Sequence, residues 1–288
     1  MPATYAHHRF GERLFPMLQE PFRTAAQSYR SLYDVGQHGP DILFYYRALK
    51  RNPVSGLGGE AHRQTGRVFF AQAAAAVRAA QDKQAALAYG AGLICHFALD
   101  SLCHSYVEKK MQQSGLEHTA IEGEFERYLM EQDGLHPQRQ VLTGHICPTQ
   151  ENAAVIAPFF PPLTAEQVGQ ALRSMVYFNR LLRAPGLCKR GLLYGGLWLC
   201  GKYKPMHGMV IPYRPPEACR DSNLRLEKLS RMAEGKALRC MAEFAAYVQK
   251  TGELGAEFDC TFEANPGWEA LRVLPYEQEL RYDPAEDC

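Results

Sequence analysis

An all-α fold, built as a multi-helix bundle, is what this 288-residue chain predicts, on three observations. Apolar residues recur at helical spacing along most of its length. The strict alternation that marks strands is nearly absent. Prolines, glycines and polar residues punctuate the helical stretches where starts and stops are needed.

The elements follow in chain order. HHRFGERLFPML (7–18) reads as a short amphipathic helix, and Pro21 opens a second that runs through QSYRSLYDVG. VGQHGPDILFYYR (35–47) is a His-Gly-Pro turn that throws Asp41 forward and leads into an aromatic run. The proline and glycines of RNPVSGLGGE (51–60) predict a loop. An alanine-rich helix then runs from Ala61 to about Ala80, beginning with His62. After a break at Gln81-Asp82 a long apolar helix covers roughly 83–113 and stops at Ser114-Gly115. LEHTAIEGEFERYLMEQDG (116–134) is another helix, starting near His118 and ended by Gly134.

A connection over 136–148 precedes helices near 150–158 and 165–183, interrupted by Pro161 and Pro162. Residues 185–216 are rich in glycine and proline, with an apolar middle and an irregular end. Asp221 or Ser222 caps a long helix that reaches about Lys250, and the tail from Gly252 is irregular. No internal repeat or low-complexity segment appears. We read residues 1–288 as a single helical domain, with its chemistry concentrated in 1–135 and a helical C-terminal half in 136–288.

Composition excludes little. Hydrophobic content of 46% with 22% charged residues is ordinary for a soluble globular protein. A net charge of +1 gives no argument for nucleic acid or a strongly anionic membrane. MPATYAHHRFGERLF lacks the basic start and apolar run of a secretory signal, so a cytoplasmic location is expected. GLLYGGLWLCG (191–201), flanked by Lys189, Arg190 and Lys202, is too short to span a bilayer. Nine scattered cysteines read as reduced thiols rather than a disulfide framework.

The stretch ICHFALDSLCHSYVE (94–108) asks the functional question. His96, Asp100 and His104 interrupt an apolar run at intervals of four, so they climb one helix face a turn at a time. Over that distance the helix rises about 12 Å between the two histidines, too far for one ion with ligands at about 2 Å. If all three are ligands, at least two ions are required, with Asp100 between them. His118 and Glu122 repeat the spacing on the next helix and can grip one ion from one face. His7 or His8, Asp41 and His62 precede them. Mixed imidazole and carboxylate donors suit zinc, with manganese or iron as alternatives. Singly, each histidine reads as a surface or core residue; two His-x-x-x-carboxylate pairs within 27 residues are what point to a multinuclear site.

The ordered set His7, Asp41, His62, His96-x-x-x-Asp100, His104, His118-x-x-x-Glu122 resembles the zinc-dependent phospholipase C family, whose all-helical fold is shared with fungal single-strand nucleases. The likeness covers about residues 1–130. It implies that Asp41, His62, His96 and Asp100 hold one zinc and that His104, His118 and Glu122 hold a second. His7 holds a third, with Asp100 as the bridge to the first. Two or three zinc ions are therefore expected, and Asp41 doubles as general base for the attacking water. Two departures stand out. The step from Asp100 to His104 is shorter than in secreted members, and the N-terminal tryptophan that ligates their third zinc is missing. Removal of Met1 leaves the Pro2 amine as a substitute.

Weaker signals surround these. His38 suits a contact with substrate or with a ligand, or simple turn chemistry. LFYYR (43–47) reads as core or as an aromatic wall with Arg47. His145 and Cys147 read as structural, and Glu108 as a solvated helix-end residue. GLLYGGLWLCGKYKPMHGM (191–209) reads as a buried helix followed by a loop, or as an interfacial flap with Trp198. The reading is thus a zinc-dependent phosphodiester hydrolase with phospholipid as first substrate and a transient membrane contact. A nuclease on the same fold and a zinc-stabilised non-catalytic protein are the alternatives. Near-neutral charge disfavours long nucleic acids, and the sequence is silent on oligomeric state.

Overall fold

Helices account for the architecture, and no strand forms among the described residues beyond an isolated bridge between Thr65 and Thr261. The structure, a computed structural model, describes residues 4–287; the proposed Pro2 ligand lies outside them. In order come α1 (Thr4–Leu14), α2 (Phe22–Ser28), α3 (Arg30–Gly36), α4 (Pro53–Arg63), α5 (Gly66–Ala79), α6 (Lys83–Ser114) and α7 (His118–Gln132). The second half adds α8 (Gln150–Ile156), α9 (Ala165–Leu182), α10 (Leu187–Leu199), α11 (Tyr203–Met206), α12 (Arg220–Val248) and α13 (Tyr276–Glu279).

The organising element is α6, whose 32 residues extend about 48 Å. Asp82 starts it by accepting a hydrogen bond from the Ala85 amide at 3.0 Å. Gly115, in the left-handed region at φ 69°, stops it. It is apolar on nearly every side because α1, α2, α3, α5, α7 and α12 pack around it. That burial also explains why its length and apolarity match a membrane span: it is the core helix. The crossing with α3 is backbone-close. A Cβ on Gly92 would fall 2.8 Å from both Gln37 N and Gly36 C, so only glycine fits there. This contact fixes the start of the turn that follows α3.

Three expectations change. Residues 53–63 form a helix and not a loop, because Asn52 and Ser55 make a reciprocal capping box and Pro53 sits at the first helical position, where its missing N–H costs nothing. His62 therefore stands in the last turn of α4, and α5 begins after it at Gly66. Neither Asp221 nor Ser222 caps α12, which starts at Arg220; Asp221 pairs instead with buried Lys110 at 2.6 Å, and Ser222 donates to the Cys219 carbonyl. The tail is irregular, yet Phe258 and Phe262 drive it into the core against Phe70 and Phe97.

Candidate metal centre

Five segments of backbone bring the expected side chains together. Successive turns of α6 present His96, Asp100 and His104, and α7 lies alongside with His118 and Glu122. The short helical turn Gly39–Tyr45, entered directly from α3, carries Asp41 to the end of α4 and His62. From the first helix it is His7, not His8, that reaches the cluster. Asp41, His62, His96, Asp100, His7 and Glu122 are all buried, and His118 is the most open.

The contacts have one pattern: an imidazole Nε2 faces a carboxylate oxygen. His62 lies 3.0 Å from Asp41 Oδ1, His96 3.1 Å from Asp100 Oδ2, and His7 3.2 Å from Asp100 Oδ1. His104 and His118 share Glu122 Oε1 at 3.3 and 2.9 Å. Potential donor atoms fall into three groups, each within 4.8 Å: His7, His96 and Asp100; Asp41, His62 and His96; His104, His118 and Glu122.

Backbone carbonyls decide how three of these rings are protonated. A carbonyl only accepts, so the facing Nδ1 must carry hydrogen. His62 Nδ1 donates to Gly58 O at 2.7 Å, His96 to Gln37 O at 3.2 Å and His104 to Phe262 O at 2.5 Å. In the neutral ring Nε2 then presents its lone pair to a carboxylate lone pair about 3 Å away, which is repulsive without a cation between them. Asp41 Oδ1 and His96 Nε2 are buried without a hydrogen-bond partner, as is His7 Nδ1. Imidazoles fixed through Nδ1, with Nε2 converging on carboxylates, are the donor arrangement zinc requires. The residues present fit the metal.

Electrostatics shows the same demand for positive charge. Burial opposes the charge on His104, yet Asp100 and Glu122 raise its imidazolium to about 9. Burial likewise disfavours a charged Asp100, but His104, His96 and His7 hold it well below the ordinary carboxylate range. Asp41 follows the same balance and sits at about 2, with His62 and His96 among the groups that lower it. In these balances protons take the role that a metal cation would play.

The groups open on a cavity of about 540 Å³ bordered by Asp41, His62, His104 and His118. Its walls include Phe44 and Trp268, with Glu108 and Glu263 at the mouth. Glu108 is thus part of the site's rim and not merely a solvated helix end. Phe44 supplies the aromatic wall, whereas Tyr45 and Tyr46 of the same run are core, and Arg47 turns back over Tyr46. Glu263 and Trp268 carried no sequence signal, because the tail that holds them has no periodicity.

His38 hydrogen-bonds His145 through the two Nε2 atoms at 2.7 Å, and the His145 ring stacks on His8 at 3.6 Å. His38 also meets His7 edge-on at 6.5 Å, so this histidine stack backs the centre. In a fourth group, His8 with Glu12 and Asp34, both carboxylates are already engaged by Arg30.

The family comparison agrees with this geometry. A family model described as zinc dependent phospholipase C matches residues 6–171, more than half of the chain. No curated protein and no solved structure matches the chain.

Proposed function

Because this chain belongs to the zinc-dependent phospholipase C family, we propose that it hydrolyses the phosphodiester bond of a phospholipid on the alkoxide side of the phosphate. Asp41, His62, His96 and Asp100 would hold one zinc, and His104, His118 and Glu122 a second. His7 would hold a third together with Asp100. When bound, zinc at such a centre neutralises phosphodiester oxygens, lowers the pKa of a water and stabilises the leaving alkoxide. The number of ions is two or three.

The chain's own residues supply the rest. Asp41 stays ionised, reaches the cavity and is the base that accepts a proton as water oxygen attacks phosphorus. The phosphorus–alkoxide bond breaks, and the diglyceride oxygen leaves with a proton from solvent. His62, locked by Gly58, orients Asp41. Two carboxylates and two aromatic rings at the mouth suit a cationic headgroup and repel a polyanion, which favours phospholipid over nucleic acid. The observation that carries the reading is the convergence of five imidazole Nε2 atoms on three buried carboxylates.

Metal content measured beside a diester panel tests it. We expect two to three zincs per chain and turnover of a chromogenic phosphocholine ester. In Asp100→Ala, zinc is lost and turnover falls by about a hundredfold or more. Preferential turnover of a nucleotide diester would transfer the assignment to a nuclease. Bound zinc with neither activity would make the metal structural.

A further inference from the structure

The apolar segment at 187–199 is a helix, but not a buried one: of the thirteen residues of α10 only Arg190 is buried. Leu193, Tyr194 and Leu197 turn partly inward. The outer face carries Leu187, Leu192, Trp198 and Leu199, which are 72–79% exposed, and no charged residue interrupts it. Soluble proteins rarely leave such a contiguous face open without a use for it. A Cβ on Gly191, Gly195 or Gly196 would meet nothing within 4 Å, so these helix-weakening residues are not there to admit a neighbour within the chain.

Charge is segregated onto the same region. Between residues 167 and 216 the chain places eight of its 32 Lys and Arg and none of its 31 Asp and Glu. The near-zero net charge conceals this division, since the remainder of the chain is net negative. Arg180, Lys202 and Arg214 are exposed in this stretch, as is Lys204, which pairs with Glu117 at 3.2 Å. Beneath the helix runs an apolar groove of about 500 Å³, lined by residues such as Leu49, Phe178, Leu193, Leu197 and Met209. Phe44 lines this groove and also the metal cavity, so the two are neighbours that share its ring.

The geometry points to a membrane-docking face: α10 lies in the lipid headgroup layer, its basic surround meets anionic lipid, and the groove takes an acyl chain of the phospholipid whose phosphate enters the metal cavity. The inference rests on the phospholipid reading above and adds how a bilayer-bound substrate reaches the centre. A helix of thirteen residues is about 20 Å long, too short to cross a bilayer and long enough to lie along its surface. A second copy of the chain is a poorer occupant, because mating two such faces would oppose two basic surrounds.

Flotation of the zinc-loaded protein with vesicles of phosphatidylcholine and phosphatidylglycerol tests the face without reference to turnover. Wild type floats with the vesicles, and raising salt from 0.1 to 0.5 M (on the order of a halved screening length) weakens the association. Leu187→Glu/Leu199→Glu lowers it by about tenfold or more, as does Trp198→Ala to a lesser degree. Both variants keep the wild-type melting temperature and the wild-type turnover of a soluble phosphocholine ester, and lose turnover only on vesicles. Wild type that fails to float, or a double variant that floats equally well, overturns the inference. So does a wild-type dimer in sedimentation that the double variant converts to monomer. If no ester is hydrolysed by any form, the hydrolase reading fails while docking is still decided by flotation.

Discussion

Gly39→Ala tests how the centre is built. Gly39 begins the turn that carries Asp41, at φ 48°, in the left-handed region that costs an alanine about 1–2 kcal/mol. The steric consequence is larger than the strain. A Cβ there would stand 2.7 Å from Cγ and 2.9 Å from Nε2 of His96, whose ring is fully buried and tied to the Gln37 carbonyl. Overpacking of that kind costs about 1–3 kcal/mol, so the total expected loss is about 2–5 kcal/mol. Either His96 or the Asp41 turn must move, and zinc affinity falls by about 10–100-fold. Urea denaturation of the metal-free protein, paired with zinc competition against a chromophoric chelator, measures both. Gly134→Ala is the control, because Gly134 has φ 71° with open space around its Cβ and shows strain alone. If the two variants were equally stable and bound zinc alike, Gly39 would not be the contact that seats His96 beside Asp41.

Two further outcomes follow from buried charge. Chelation lowers the melting temperature, because Asp41, Asp100 and Glu122 lose the cation that balances them, and added zinc restores it; at free zinc a hundred times Kd the difference is about 2.7 kcal/mol. An unchanged melting curve in excess chelator would argue against a metal held by these residues. Glu126 gives a pH dependence. Burial raises its carboxyl to about 8, although the Tyr5 and Ala6 amides pull it down. Between about pH 4.5 and 8 the folded protein holds a proton on Glu126 that the unfolded chain has released, so this group's contribution to the stability of the metal-free protein falls by about 1.4 kcal/mol per pH unit as pH rises. Glu126→Gln has no such proton. Its stability relative to wild type therefore improves from pH 5 to pH 8 in urea titrations, and a constant difference would refute the assignment.

The sequence made the helices and the convergent residues legible for one reason: both depend on local spacing. Asp82 and Gly115 bound α6 as cap residues should, and intervals of four place His96, Asp100 and His104 on one face. Local reading failed where a residue type has two meanings. Pro53 and three glycines resembled a loop, yet proline at a first helical position starts α4 once Asn52 caps it. Long-range burial was not legible either. Nothing in LCKRGLLYGGLWL states whether its leucines face a core or solvent, and the structure turns most of them outward. The carbonyls of Gly58, Gln37 and Phe262 fix the imidazoles, but a backbone atom has no sequence signature.

The short step from Asp100 to His104 is reconciled by the two nitrogens of one ring. Asp100 Oδ2 lies 3.8 Å from His104 Nδ1, but that nitrogen spends its hydrogen on Phe262 O at 2.5 Å. Asp100 is thereby left to His96 and His7, one turn up the helix and across from it. The opposite nitrogen of His104 is turned toward Glu122 and His118 on α7. One unbroken helix face can thus serve two donor groups without a longer spacer, because the ring of His104 divides them. The group that enforces the division comes from the tail, outside the residues that match the family model. Phe262 is fully buried among Phe69, Phe70 and Phe97 and its amide donates to His62 O at 3.2 Å, so its carbonyl is held in place by aromatic packing and a backbone hydrogen bond. The C-terminal segment therefore orients a member of the second donor group as well as closing the core.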